Sequence, residues 1–161
     1  MIFVTVGTQG HFDRLVRTVD EWAGLRGGAD LFAQTGWSNF RPKHIQNKPF
    51  IDPADFRKRV ELASLVIAHA GMGSIITALE FGKQIIVMPR RADLGEHRND
   101  HQVATAQRLA EQGCVIIAAN EQDLHKTLDQ LEVSPKTERL RAHASPRLIT
   151  TIRTFIEAGD A

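Results

Sequence analysis

Residues 65–89 read LVIAHAGMGSIITALEFGKQIIVMP, and this stretch decides the fold. The apolar run at 65–68 has the composition of a buried strand. His69-Ala70-Gly71-Met72-Gly73 makes a glycine turn, and 74–81 has helical spacing that ends at Gly82. A second apolar strand follows at 84–88. Strand, helix and strand in that order form a parallel crossover, with the helix start beside the carboxyl end of the first strand. A helix start offers unsatisfied N–H groups and about half a unit of positive charge. Gly71 and Gly73 remove the Cβ atoms that would hold an anion away, and His69 and Ser74 add donors at the rim. The turn is therefore built for phosphate, and a diphosphate is its natural occupant.

The pattern extends in both directions. Upstream, 2–6 is a strand, Gly7-Thr8-Gln9-Gly10 a turn, and 12–25 a helix in which Phe12, Leu15, Val16, Val19 and Trp22 recur on one face. Gly27-Gly28 ends that helix and 30–34 is a second strand. Residues 35–48, with Gly36, Asn39, Pro42 and Asn47, read as irregular, and 50–51 as a short strand. Asp52-Pro53 then opens a helix to 63. Downstream, 90–99 is a charged loop at a strand's carboxyl end, where open parallel sheets bind ligands. A helix at 100–112, a strand at 114–118 and a helix at 121–131 capped by Asn120 follow. A last helical region at 136–158 is interrupted near Ser145-Pro146. Alternating strands and helices predict an α/β fold, a Rossmann-like parallel sheet covered on both faces, with residues 1–161 as one domain.

Composition narrows the classes. At 161 residues, 42% hydrophobic and 24% charged, the chain can bury a sizeable core. A net charge of +1 with dispersed basic residues gives no reason to expect nucleic acid. The lone Cys114, in GCVIIAA, reads as a buried strand residue and suits a reducing cytoplasm. The start, MIFVTVGTQG, lacks the regions of a signal peptide, and no apolar run approaches the ~20 residues of a membrane span. Cytoplasmic location is expected, with any membrane role peripheral or through a partner.

Three blocks in order, VTVGTQGHFDRLV, IAHAGMGSIITALEFGKQIIVMPR and EHRNDHQVATAQRLAEQG, resemble the glycosyltransferase family 28 C-terminal domain. The small size and the His101-Gln102 pair look most like stand-alone subunits of two-component UDP-sugar transferases. One such group serves bacterial exopolysaccharide synthesis; another serves the eukaryotic dolichol pathway. The resemblance implies the C-terminal, donor half of a GT-B glycosyltransferase, inverting and a hexosyltransferase in type. It implies no cofactor beyond the UDP-sugar donor, and no Asp-x-Asp pair is present to hold a metal. It also implies a membrane-anchored, acceptor-binding partner subunit that brings the chain to a lipid-linked saccharide at the inner face of the plasma membrane. Whether the chain pairs with itself as a homodimer is left open.

By position, the resemblance places His69, Gly71, Met72, Gly73 and Ser74 around the UDP phosphates and Asp100, His101 and Gln102 at the sugar hydroxyls. Gln102 is the leading sugar contact, because a neutral amide both donates and accepts. Gly7 and Thr8 fall at the same sheet edge, with His11 as the candidate base of this chain. Arg90 and Arg91 are candidate anion contacts. The sequence departs from the family at Thr77, where many relatives carry the acid that binds ribose; Glu80, one turn on, is the substitute considered. That departure supports the alternative of a non-catalytic nucleotide-sugar scaffold or sensor. His97 and His101 have i, i+4 spacing, but further metal ligands are not evident. Trp37 and Phe40 read as a loop anchor or a partner-facing patch.

Overall fold

The computed structural model describes residues 1–27, 30–99 and 101–131. Among these residues eleven elements follow one another: β1 (Ile2–Thr5), α1 (Asp13–Leu25), β2 (Leu31–Gln34), β3 (Gln46–Lys48), α2 (Pro53–Leu62), β4 (Leu65–His69), α3 (Met72–Glu80), β5 (Ile85–Met88), α4 (His101–Glu111), β6 (Ile116–Ile117) and α5 (Glu121–Gln130). The strands form one sheet in the order β3-β2-β1-β4-β5-β6, every pairing parallel. Successive strands move outward from β1 to β3, then return to the other side of β1. The order therefore reverses between β1 and β4, which makes that junction the switch point where a parallel sheet opens a crevice.

The twofold alternation of strand side chains separates two cores. Val4, Leu31, Ala33, Leu65, Ile67, Ile86 and Met88 pack against α1 and α5. Phe3, Phe32, Val66, Ala68, Ile85 and Val87 face α2, α3 and α4. Both faces are thus covered, which is why the inner strands read as unbroken apolar runs. Trp22 lies in the first core at 7% exposure, as its helical phase predicts. Asn120 and Asp52 cap their helices by accepting the N–H of Asp123 and Asp55, each at 2.8 Å, and Pro53 sits in the first turn of α2.

Three expectations change. The strand expected at 50–51 lies instead at Gln46–Lys48. This is an edge strand exposed at all three residues, so it needed no apolar signal, while Phe50 packs on Trp37. Helix α3 begins at Met72 rather than 74, so Gly73 lies inside its first turn. The last strand shrinks to Ile116–Ile117, leaving Cys114 outside it and half-buried, where burial raises its thiol pKa. The helix expected at 136–158 lies outside the described residues. No helix among the described residues is long and apolar enough to cross a membrane.

Candidate functional site

At the switch point the carboxyl ends of β1 and β4 open into a cavity of about 710 Å³. Its floor is the start of α3. Gly71 is the N-cap residue and offers no side-chain cap, and the first turn of α3 has no acid. The N–H groups of 72–74 are therefore the open donors that every helix start presents. A Cβ built on Gly73 would meet nothing within 4 Å, so the space above the turn is free. Ser74 is buried beside it. No carboxylate lines this cavity among the described residues, whereas Arg57, Arg90, His69, His97 and His101 all do. The helix dipole and its open N–H groups favour an anion.

His69 ends β4 and is wedged between two glycine turns. A Cβ on Gly71 would lie 2.1 Å from its Nε2, and one on Gly7 would lie 2.6 Å from its Cε1. Gly7 also has φ +74°, so only glycine satisfies both the space and the backbone there. Burial and the nearby Arg90 guanidinium lower the His69 pKa to about 4, against a smaller contrary effect of the Thr5 main chain. The ring is therefore neutral at pH 7, and its Nδ1 is buried without a protein partner. His69 shapes the site and can hydrogen-bond there, but brings no positive charge.

Arg90 lines the cavity yet is occupied elsewhere. Its guanidinium donates to the carbonyls of Val6 (2.9 Å), Gly10 (3.3 Å) and Gln9, and the side chain is buried. Burial lowers its pKa, with Glu96 acting in the opposite sense. The Arg90 N–H in turn donates to the Gln102 carboxamide oxygen at 3.2 Å. Gln102 thus has its NH₂ group to offer the cavity it lines. The loop leading to it is pinned from α1: Arg14 makes a two-pronged contact with Glu96, 2.8 Å on each arm, and donates to the Pro89 carbonyl. Glu96 also accepts the Arg91 N–H at 3.0 Å. This brace holds His97 and His101 at the cavity, their rings 4.6 Å apart and edge to face. Burial and His97 lower the His101 pKa.

Most residues singled out in the sequence meet here: Gly7, Thr8, His69, Gly71, Met72, Gly73, Ser74, Thr77, Arg90, His101 and Gln102 line one cavity. Thr77 turns its hydroxyl back to the Gly73 carbonyl at 2.8 Å. Glu80 is outside the lining, half-exposed and paired with Arg57 at 3.0 Å. His11 is exposed and also outside the lining. Arg91 binds Asp93 rather than facing the cavity. Asp100 lies outside the described residues. Sequence reading missed the wall of Ile51, Pro53, Phe56 and Arg57, and missed His97 as a lining residue. Phe56 and Arg57 sit in the middle of an ordinary amphipathic helix, and only the switch-point topology places them opposite α3.

An open parallel sheet with a crevice at its switch point defines a doubly wound α/β protein. The chain belongs to the family of the glycosyltransferase family 28 C-terminal domain, whose model matches residues 1–156. It is 31% identical over 122 residues to the human UDP-N-acetylglucosamine transferase subunit ALG13. That match covers 70% of this chain and 10% of the human protein, so the chain spans about a tenth of that relative's length. Among solved structures, MurG of Acinetobacter baumannii superposes with TM-score 0.57 at 20% identity, over 98% of this chain and 49% of that one. CalG4, the calicheamicin glycosyltransferase, gives TM-score 0.57 at 12% identity, over 99% and 44%. At these identities the likeness is one of fold, that of GT-B glycosyltransferases.

Proposed function

We propose that this chain is the donor-binding subunit of a heteromeric, inverting UDP-glycosyltransferase, with residues 1–161 acting as one UDP-sugar-binding domain. It moves a hexose or uronic acid (glucuronosyl, galactosyl or N-acetylglucosaminyl) to a lipid-linked acceptor, in exopolysaccharide synthesis, and works in the cytoplasm against a membrane-anchored partner. The observation that carries the reading is the uncapped start of α3, facing a cavity that no carboxylate lines among the described residues, in a chain of this family. The likeness to the human protein, a UDP-N-acetylglucosamine transferase subunit, supports both the donor class and the dependence on a partner.

Transfer needs an activated acceptor hydroxyl and a stabilised leaving diphosphate. The N–H groups of Met72, Gly73 and Ser74 meet charge as it develops on UDP, preorganised help of the kind that often dominates catalysis. The Ser74 hydroxyl and neutral His69 add hydrogen bonds, and Gln102 and His101 address the sugar. Arg90, with three carbonyl partners, holds the first turn instead of meeting the phosphates. Because His11 stands outside the cavity lining, the base that activates the acceptor belongs to the partner in this reading. No cofactor beyond the donor enters the scheme.

One observation favours a second reading, a non-catalytic nucleotide-sugar sensor. Thr77 occupies the ribose-acid position with its hydroxyl bonded to its own helix, and the Glu80 carboxylate is held by Arg57. Calorimetric titration with UDP and then UDP-glucuronate, UDP-galactose and UDP-N-acetylglucosamine tests both. Saturable UDP binding with a sugar preference, and transfer that begins only when the acceptor half is added, supports the transferase. Binding without transfer in that complex supports the sensor, and no binding with the acceptor half present overturns both.

A further inference from the structure

Residues 91–99 read RADLGEHRN and carry the chain from β5 toward α4. No apolar side chain of this loop enters either core, and Leu94 is 51% exposed. Polar contacts set its shape. The Glu96 N–H donates to the Arg91 carbonyl at 3.1 Å and the Glu96 carboxylate accepts the Arg91 N–H at 3.0 Å, so the loop closes on itself. Arg14 then clasps both of its ends from α1. Its Nε–H and Nη2–H groups donate to the two Glu96 oxygens, and Nη2 also donates to the Pro89 carbonyl at 3.0 Å, one residue beyond β5. Between these anchors stands Arg90, whose N–H holds the Gln102 carboxamide oxygen. Directly after them comes His97, its ring against that of His101. One guanidinium thus governs the segment that places three side chains of the cavity lining, His97, His101 and Gln102.

Stability alone is a poor account of this contact. The Arg14 and Glu96 side chains are 10% and 7% exposed, and among the described residues no other ion pair has both partners this buried. The desolvation of such a pair roughly cancels its attraction, and apolar side chains of similar volume often serve the fold as well. Nη1 of Arg14 is even buried with no hydrogen-bond partner among the described residues, the Glu121 carboxylate standing 3.6 Å away. What apolar packing cannot do is fix direction. Two parallel N–H···O bonds from a planar fork set the angle of the loop as well as its distance, and that matters where side chains must meet hydroxyl groups.

We propose that Arg14 and Glu96 are a positioning pair for the sugar end of the site. Neither lines the cavity. They act through the 90–99 loop, by setting where His97, His101 and Gln102 stand, and the preference for one UDP-sugar depends on that placement. The inference rests on the donor-subunit reading and deepens it, because it ties sugar choice to a residue pair that takes no part in holding the phosphates.

The test is calorimetric titration of the full chain with UDP and then UDP-glucuronate, UDP-galactose and UDP-N-acetylglucosamine, in the wild type, in Arg14→Lys and in the double variant Arg14→Met, Glu96→Leu. Lysine keeps the charge without the fork, and the apolar pair removes both buried charges together. In both variants UDP affinity is expected to stay unchanged, while the preference for the favoured UDP-sugar over UDP falls about tenfold. The double variant should hold its denaturant midpoint, which separates lost positioning from lost folding. Adding Gln102→Ala to it should cost little more, since both changes act on the same contact. A preference kept in the double variant, UDP and UDP-sugar weakened alike, a collapsed midpoint, or losses that add in full with Gln102→Ala each overturns the proposal. Wild-type binding of UDP with no gain from any of the three sugars also overturns it, with the phosphate site left standing. Absence of UDP binding with the acceptor half present overturns the donor reading itself, and this inference with it.

Discussion

Two glycine turns face each other across the switch point, at 7–10 after β1 and at 71–74 after β4, and they are finished in opposite ways. In the first, the Gly7 N–H reaches the Thr5 hydroxyl, the Gly7 carbonyl takes Gln34, the Thr8 carbonyl takes Trp37, and the Gln9 and Gly10 carbonyls take Arg90. In the second, the helix start has no side-chain cap and open space above Gly73. A turn whose four carbonyls are all taken by protein side chains is strapped in place. One whose donors are left open awaits a ligand. Glycine content alone would have ranked the two as equals.

The comparison is most easily broken at Arg90. Arg90→Met strips three carbonyls of their buried donor and should destabilise the chain by about 4 kcal/mol, read as a drop in denaturant midpoint. A loss under about 1 kcal/mol, the size of a single surface contact, would mean that the first turn does not depend on it. His69, the wedge between the turns, gives a pH test. Its pKa falls from 6.5 to about 4 on folding, so the unfolded chain takes the proton first. The stability gained by keeping the ring neutral is whole above about pH 6.5 and lost as pH falls toward 4, amounting to about 3 kcal/mol. His69→Gln should flatten that slope in stability curves measured across the window; an unchanged slope would contradict a buried neutral ring.

Sharper still for the ligand is Gly73→Asp, which puts a carboxylate at the open donors where there is room for it. UDP affinity should fall by roughly a hundredfold in calorimetry while the midpoint stays level, since an acid in the first turn of a helix is tolerated. Loss of the fold instead would show that Gly73 is structural. Gly71→Ala tests the close approach to the imidazole, since its Cβ lands on His69. The cost should be about 2 kcal/mol of stability, and His69→Ala should relieve it in the double variant. The smallest effect is expected from Gln102→Ala, about tenfold in the preference for a UDP-sugar over UDP.

The sheet was readable because parallel strands buried on both faces appear as apolar runs, and β1, β2, β4 and β5 do so. Strand β3 escaped because an edge strand of Gln46, Asn47 and Lys48 buries nothing. Most of the cavity lining was readable as well, since the glycine turn after β4 and the Gln102 segment are short motifs close to strand ends. What could not be read was the use of a charge. Arg90 stood in a polar loop and looked like an anion contact, yet its partners are carbonyls about eighty residues earlier in the chain. Arg57 and His97 were likewise hidden, because only the reversal of strand order brings α2 and the 90–99 loop to the same cavity.

The central claim is that the anion meets the helix start at 72–74 and not the strapped turn at 7–10, and amide chemical shifts during a UDP titration of the full chain test it most directly. The account predicts that the N–H groups of Met72, Gly73 and Ser74 shift most and saturate together, with those of Gly7, Thr8, Gln9 and Gly10 moving far less. Larger shifts at 7–10, or saturation that leaves 72–74 unmoved, would contradict it.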